Sequence, residues 1–136
     1  MTTKSSFEPG HFRELSISYD AALARLPEAL KHEGFGVITE IDLQATFKAK
    51  LGIDFRRYRI LGACNPSFAH RALQADTRVG VLLPCNVALY ETDEGKAIVG
   101  AVNPMQTLDA GVEGSALAEV AREVGERLER VLAGLS

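Results

Sequence analysis

The segment Tyr-Arg-Ile-Leu-Gly-Ala-Cys-Asn-Pro-Ser-Phe-Ala-His, residues 58–70, contains the clearest change from strand to helix in the chain. Residues 58–64 are predicted to form a β-strand. Asn65 then suits the N-cap of a helix, and Pro66 suits its first position, where a missing backbone N–H is tolerated. The prediction therefore places Cys64 at the end of a strand and immediately before the start of a helix.

The second cysteine begins another predicted strand, Cys-Asn-Val-Ala-Leu-Tyr-Glu at 85–91, and each cysteine is followed by asparagine, as Cys64-Asn65 and Cys85-Asn86. If the two strands are antiparallel neighbours, the end of one meets the start of the other and the thiols can approach. If they are parallel, the cysteines lie at opposite edges of the sheet. A disulfide needs Cα atoms within about 7 Å, and the sequence allows both arrangements.

Strand and helix patterns are mixed along the rest of the chain. Further strands are predicted at 12–18, 35–41 and 96–102. Helices are predicted after the caps Ser18 or Asp20, after Asp42, after Asn65, and over the apolar stripe from Leu117 to Leu132, with glycine stops at Gly34 and Gly52. These elements predict an α+β (α/β two-layer) fold, in which a mixed β-sheet has helices packed on it.

Three local patterns carry more specific expectations. Pro27 inside the first helix removes a backbone hydrogen bond and predicts a kink or a helix in two pieces. Residues 77–84 are apolar but contain a glycine and a proline, so they are predicted to form a buried connector. The strands at 85–91 and 96–102 are apolar on both faces, which predicts central, covered strands.

Composition is typical of a globular protein. The length of 136 residues suits one domain, expected at 12–136 after a flexible lead-in at 1–11. The net charge of −3, without a cluster of Lys and Arg, argues against nucleic-acid binding. There is no signal peptide pattern and no apolar window of about 20 residues to span a membrane. We therefore expect a cytoplasmic protein, in which thiols stay reduced.

Four blocks of sequence resemble a known family. They are Gly-Phe-Gly-Val-Ile-Thr-Glu-Ile-Asp at 34–42, Lys-Leu-Gly at 50–52, Tyr-Arg-Ile-Leu-Gly-Ala-Cys-Asn-Pro at 58–66 and Leu-Leu-Pro-Cys-Asn-Val at 82–87. In this order and spacing they resemble the domain of unknown function 302 family, over about Phe12 to Leu132. The resemblance implies a small α/β domain with helices on a mixed sheet, often found as a homodimer, and it implies no reaction.

Cys64 is the candidate reactive residue. Free backbone N–H groups and the positive end of the dipole at a helix start favour a thiolate, which nucleophilic or redox chemistry would use. The alternative is a buried, inert cysteine that ends a strand. Asn65, Pro66 and Ser67 could also bind an anion through this helix start, although Asn65 would serve as the cap in either case.

Two other groups of residues are weaker candidates. Glu40 and Lys50 could form an acid–base pair in a cleft, or a surface ion pair. A metal site would have to use Cys64, Cys85 and His70, but neither Cys-x-x-Cys nor His-x-x-His spacing occurs. No metal and no other cofactor is therefore predicted.

The sequence predicts a domain that binds a small anionic or thiol-reactive molecule, and the family resemblance implies that this domain is a homodimer. Its ligand-binding residues are expected to be Cys64, Asn65, Ser67, Cys85, Asn86, Glu40 and Lys50, with Cys64 as the candidate catalytic residue. The alternative is a non-catalytic, dimeric interaction module in which the Cys-Asn elements are structural. Neither interpretation assigns a reaction, so the sequence leaves open whether the protein is an enzyme.

Overall fold

Strands and helices alternate along most of the chain in the computed structural model, which describes residues 9–107 and 115–135. The elements are β1 (Gly10–Leu15), α1 (Tyr19–His32), β2 (Gly36–Asp42), α2 (Leu43–Leu51), β3 (Tyr58–Cys64), α3 (Pro66–Ala75), a 3-10 helix (Thr77–Leu82), β4 (Cys85–Glu91), β5 (Ala97–Val102), α4 (Pro104–Thr107) and α5 (Ala116–Ala133). No described helix combines the length and the apolar composition needed to cross a bilayer.

The five strands form one sheet in the order β1-β5-β4-β3-β2, and every neighbouring pair is antiparallel. The predicted α+β class is confirmed, whereas the expected mixture of strand directions is wrong. The reason lies in two connections. The chain leaves the sheet after β2 and again after β3, and each time it re-enters the sheet at the end it left, through α2 and its following loop or through α3 and the 3-10 helix. A parallel pair would need a crossover to the opposite end.

One face of the sheet carries the core, and we call it the covered face. Its side chains are almost fully buried: Leu15, Leu61, Ala63, Val87, Leu89, Ala97, Val99 and Ala101. Helices α1 and α5 pack on this face, and α3 packs against α5. Complete burial of one leucine or valine contributes about 1.5–3 kcal/mol, so this layer is the main source of stability.

The other face, which we call the open face, is apolar but only partly covered. Its side chains include Phe12, Ile41, Tyr58, Ile60, Ala88, Tyr90 and Ile98. Phe12 is 48% exposed and Ile41 is 46% exposed. The prediction that the strands at 85–91 and 96–102 are central is confirmed, since β4 and β5 are inner strands. Within the described chain, however, only one face of these strands is covered.

A chain of aromatic rings links α2 to the open face. Phe47 of α2 contacts Phe55 edge-on, with ring centroids 5.0 Å apart, and Phe55 contacts Tyr58. Tyr58 in turn stacks on Tyr90 at 5.0 Å. These contacts place α2 beside the open face rather than among the helices that form the core.

The start of α1 corrects the predicted position of the first strand. The Ser18 hydroxyl accepts a hydrogen bond from the N–H of Ala21 at 3.1 Å, which makes Ser18 the N-cap of α1. The strand therefore ends earlier and also begins earlier, as Gly10–Leu15 rather than 12–18. Gly10 and His11 belong to the sheet and not to the predicted lead-in, of which residues 1–8 lie outside the described residues.

Helix α1 is one continuous helix with Pro27 inside it, so the expected break into two pieces is wrong. Ala22, Leu26 and Leu30 are all fully buried and lie on both sides of Pro27 in the sequence. Both halves of the helix therefore pack on the same core, while Pro27 itself is exposed. This packing opposes the disruption that a proline usually causes in a helix interior.

The prediction of a buried connector at 77–84 is wrong for most of its length. Residues 77–82 form the 3-10 helix, in which Val79 is buried but Val81 is 88% exposed. A 3-10 helix has three residues per turn, so only part of its apolar sequence can face the core at once.

Gly62 provides a test of how closely the strands pack on the open face. A Cβ at this position would overlap Thr39 Oγ1 and approach Pro84 Cγ to 2.6 Å. We expect Gly62→Ala to lower the free energy of unfolding by about 1–3 kcal/mol, the usual cost of overpacking. Gly36→Ala is the matched control, because the added Cβ meets no atom within 4 Å. Urea denaturation that shows equal stability for the two variants would contradict this description.

Candidate functional site

Both cysteines lie at one end of the sheet. Ala63 pairs with Cys85 across β3 and β4, and Cys64 is the next residue along β3. Of the two arrangements that the sequence allowed, the antiparallel one is therefore observed. Both thiols are free; Cys64 is partly exposed and Cys85 is buried. Both line the same cavity.

The cavity has a volume of about 300 Å³ and lies between the end of the sheet and two helices. Its apolar lining comes from α3, α5, the start of β2 and the segment before β4, namely Phe35, Ile38, Ala63, Phe68, Ala69, Ala72, Leu73, Leu83, Pro84, Val120 and Val124. Apart from the two thiols, the only polar side chain that the described residues contribute to the lining is that of Asn65. No charged side chain from the described residues lines the cavity, so a ligand with an isolated charge would lose hydration without compensation.

The start of β2 shapes the mouth of the cavity. Gly34 has a φ of +88°, a left-handed conformation that favours glycine, and it lets the chain turn directly from α1 into β2. Phe35 follows and is buried in the cavity wall. A bulge between Val37 and Thr39 then removes Ile38 from the regular strand pairing. Ile38 lines the cavity and is 60% exposed, so it lies at the opening.

Asn65 occupies the N-cap position as predicted, but its side chain does not cap α3. Its Nδ2 instead donates a hydrogen bond to the backbone oxygen of Glu33 at 3.4 Å, and Arg127 Nη1 donates to the same oxygen at 3.1 Å. The expectation of a side-chain cap is therefore wrong: the Asn65 Nδ2 donates to the end of α1, and the Asn65 side chain accepts no N–H of α3. Asn65 joins the start of α3 to the end of α1.

Two arginines hold Phe68 in the cavity wall. The guanidinium groups of Arg71 and Arg127 lie 5.3 Å and 5.2 Å from the centre of its ring. Arg71 is itself paired with Glu123 of α5 at 3.0 Å. Each cation–π contact at an exposed site contributes about 0.5–1 kcal/mol. The two charges stabilise the wall from outside, since neither arginine lines the cavity.

The two thiols differ in their exposure to solvent. Burial raises the pKa of the Cys85 thiol from 9.0 to about 11, and a negative charge on Cys64 contributes to the rise. Cys85 is therefore protonated at neutral pH, and a protonated thiol is a poor nucleophile. Cys64 is more exposed and directly precedes a helix start, which makes it the candidate nucleophile of the pair.

The structure brings together only part of the predicted site. Cys64, Asn65 and Cys85 line the cavity, whereas Ser67 and Asn86 do not. Ser67 is exposed in the first turn of α3, and Asn86 is exposed on the open face. The second Cys-Asn step therefore contributes its thiol to the cavity but not its amide, because successive side chains of a strand point to opposite faces.

Glu40 and Lys50 do not form the acid–base pair considered from the sequence. Glu40 lies on edge strand β2 and forms an ion pair with Arg59, which also pairs with Asp42 at 3.3 Å. Lys50 is exposed at the end of α2, and no described carboxylate forms an ion pair with it. Neither residue lines the cavity. Their arrangement is that of surface charges, which contribute little to stability.

A three-ligand metal site is not present in the parts of the chain that the structure describes. No group of three or more His, Cys, Asp or Glu side chains lies close enough there to hold a metal ion. His70, the third ligand considered from the sequence, is exposed and does not line the cavity with the two cysteines.

Sequence reasoning missed most of the apolar lining. The stripe of Phe68, Ala72 and Leu73 was visible as the buried side of α3, but nothing local indicated that it faces a cavity. Val120 and Val124 belong to the stripe of α5, between 47 and 56 residues away in the chain. Only the packing of α3 on α5 brings these surfaces together.

Comparison with known proteins supports the resemblance seen in the sequence. A family model described as "Domain of unknown function DUF302" matches residues 11–135. The crystal structure of an uncharacterized conserved DUF302 protein from Bacillus stearothermophilus is similar, with a TM-score of 0.83 and 31% sequence identity, over 92% of this chain and 96% of that chain. No curated protein matches. The predicted family resemblance is confirmed.

The raised pKa of Cys85 predicts a loss of stability at alkaline pH. In the unfolded chain the thiol ionises near 9, whereas in the folded chain it stays protonated until about 11. The unfolded state therefore releases its proton first, and the free energy of unfolding falls as pH rises through this window. Two pKa units correspond to roughly 2–3 kcal/mol. Cys85→Ala should lack this part of the alkaline loss.

Val87→Ala is the matched control, because Val87 is fully buried in the same strand and its replacement leaves the thiol in place. We expect this variant to be less stable at every pH but to keep the alkaline loss of the original protein. Denaturant unfolding between pH 8 and pH 11 measures both variants. The same pH dependence in Cys85→Ala and Val87→Ala would contradict the assignment.

Proposed function

Because the chain belongs to the DUF302 family of domains of unknown function, we propose a function from the chemistry of the cavity: it binds a small, largely apolar, thiol-reactive molecule next to Cys64. The observation that carries this proposal is a cavity of about 300 Å³ whose lining is apolar except for two thiols and one amide. This volume is at the lower end of small-molecule pockets, which are usually lined by apolar side chains with a few polar groups.

The lining favours an apolar ligand over an anionic one. Arg71 and Arg127 lie close to Phe68 but outside the cavity, and their charges are already engaged by Glu123 and by the Glu33 backbone oxygen. An anion would therefore depend on the N–H groups at the start of α3 alone. An apolar molecule gains from burial against the whole lining, at about 25 cal/mol for each Å² removed from water.

Cys64 provides the reactive group of the proposed site. It is partly exposed and lies at the edge of the cavity, whereas the Cys85 thiol is buried and protonated. An electrophile held in the cavity would meet Cys64 first. A free thiol persists in a reducing compartment, so we infer a cytoplasmic location for this function.

A series of N-alkylmaleimides tests binding in the cavity. We expect Cys64 to be alkylated with saturation kinetics, and the half-saturation concentration to fall by up to about fourfold for each added methylene, because burying one CH₂ contributes about 0.8 kcal/mol. Mass spectrometry of peptides locates the adduct. Ala69→Phe should abolish the dependence on chain length, since Ala69 lines the cavity.

Ala75→Phe is the matched control, because Ala75 lies on α3 but is exposed and does not line the cavity. It should leave the alkylation series unchanged. A rate at Cys64 equal to that of a model thiol for every chain length would reject the binding proposal. Faster reaction with iodoacetate than with iodoacetamide, after correction for the model thiol, would indicate an anion site instead.

We infer, as a second function, that the open face joins two copies of the chain in a homodimer. All nine residues of α2 are at least partly exposed, although so short a helix is not stable in water without packing. Leu51 of α2, Ile53 and Phe55 in the following loop, and Ile41 and Phe12 on the sheet are all more than a third exposed. Together they form one apolar surface that residues 9–107 and 115–135 leave uncovered.

The size of this surface suits a stable dimer. Five strands about 4.8 Å apart and about 20 Å long give a projected area of roughly 500 Å². The accessible area is larger than this projected area, because the side chains make the surface uneven and α2 extends it. It therefore approaches the area of about 800 Å² that each partner buries in a standard interface.

The charges also favour a symmetric pair. Glu14 is the only charged side chain among the strand residues of the open face, whereas α2 carries Lys48 and Lys50 and no acidic residue. A two-fold axis parallel to the strands would place β1 of one copy opposite β2 and α2 of the other. Glu14 would then face Lys50 of the second copy, since Lys48 is already paired with Asp54 at 3.0 Å.

Ile41→Lys tests the proposed interface, because Ile41 is an exposed apolar residue of β2 on the open face. We expect the original protein to have about twice the monomer mass of 14.7 kDa at micromolar concentration, and Ile41→Lys to have the monomer mass. Light scattering measures both. Val81→Lys is the control, since Val81 is equally apolar and 88% exposed but lies on the 3-10 helix. A monomeric original protein would reject the dimer.

A further inference from the structure

We propose that Cys85 is the resolving thiol of a two-cysteine exchange site, in which Cys64 forms a mixed disulfide with a small organic disulfide and Cys85 then displaces the bound half. The inference rests on the proposed function, because Cys64 must first react with a ligand in the cavity. It adds a ligand class, low-molecular-weight disulfides, and a role for the buried cysteine.

The strand register places the two cysteines within disulfide range. Cys85 lies directly opposite Ala63, and Cys64 is one residue further along β3. Paired Cα atoms of antiparallel strands are about 4.5–5.5 Å apart, and one residue advances a strand by about 3.4 Å. The Cα atoms of Cys64 and Cys85 are therefore about 5.6–6.5 Å apart, which lies within the range of about 4.4–6.8 Å found for disulfides.

The side chains also share one space. Neighbouring residues within a strand normally point to opposite faces, but Cys64 is the last residue of β3, where the chain leaves the sheet for α3. Both thiols line the same cavity. The chain has two cysteines in all, so each is the only intramolecular partner of the other.

The exchange is balanced without any other reactant. The Cys64 thiolate attacks one sulfur of the disulfide R–S–S–R, forms Cys64–S–S–R and releases one R–S⁻. The Cys85 thiolate then attacks the Cys64 sulfur, forms the Cys64–Cys85 disulfide and releases the second R–S⁻. The two cysteines are oxidised, the organic disulfide is reduced, and the two thiol protons pass to the two released thiolates. Such exchange proceeds through a mixed disulfide in general.

The environment of Cys85 fixes the order of these steps. Burial is the main reason that its pKa is raised, and negative charge on Cys64 contributes as well. Conversion of Cys64 to a mixed disulfide removes that charge, so the Cys85 thiolate then becomes easier to form. Attack within a single cavity also benefits from an effective molarity of up to about 10⁵–10⁸ M in well-oriented cases. Cys64 therefore reacts first and Cys85 second.

The experiment uses the reduced full-length protein and 2,2′-dipyridyl disulfide, a small, uncharged and largely apolar probe. We expect two equivalents of 2-thiopyridone per chain, a final mass that is two hydrogens below that of the reduced protein, and no retained pyridylthio group. The second release should be first order and independent of probe concentration, because it is intramolecular. Cys85→Ala should release one equivalent and retain the adduct on Cys64.

The outcomes separate this inference from the function on which it rests. Reaction at Cys64 with a stable adduct in the original protein would overturn the role of Cys85 and leave ligand binding at Cys64 intact. No reaction at Cys64 would reject both. A disulfide between two chains, seen on a non-reducing gel, would also overturn the inference. The original protein unfolded in urea is the control that tests whether the second step depends on the fold. It should retain pyridylthio groups on its cysteines, whereas the folded protein should not.

Discussion

The antiparallel pairing of β3 with β4 is the constraint on which the rest of the structure depends. It requires the chain to return, after α3 and the 3-10 helix, to the same end of the sheet that it left at Cys64. Helix α3 consequently lies beyond the strand ends and packs on α5. The gap between that helix and the sheet is the cavity, and both thiols line it because the departing and returning strands are neighbours.

The elements that depend on local chemistry could be predicted from the sequence. Pro66 marks the start of α3 and Asp42 the start of α2, since caps and first-turn residues act within a few positions. The pairing of Asn65 with the Glu33 oxygen could not be predicted, because it joins residues that are 32 positions apart. Strand direction was likewise undetermined, since a helical connection is compatible with a return to either end of the sheet.

The same holds for the candidate site: residues with a local sequence signal could be predicted, and residues brought together by tertiary packing could not. The positions of Cys64 and Cys85 at a strand end and a strand start could be predicted, whereas the adjacency of these two ends, which the sequence left open, is shown by the register. Glu40 was predicted to be a site residue because it lies in the block 34–42 that resembles the family. It forms an ion pair with Arg59 at the edge of the sheet instead. The apolar lining from α5 had no signal of its own, because a stripe that faces a cavity has the same spacing as one that faces solid core.

The bond between Asn65 and Glu33 has a mechanical consequence. Gly34 leaves room for the Asn65 amide, since a Cβ at residue 34 would lie 2.8 Å from Nδ2. One carbonyl oxygen thus connects α1, α3 and, through Arg127, α5. A molecule that entered beside Cys64 and displaced the first turn of α3 would strain the hydrogen bond between Asn65 and the Glu33 oxygen. Because the same oxygen also accepts a hydrogen bond from Arg127, occupancy of the cavity would affect the contact between α1 and α5 as well.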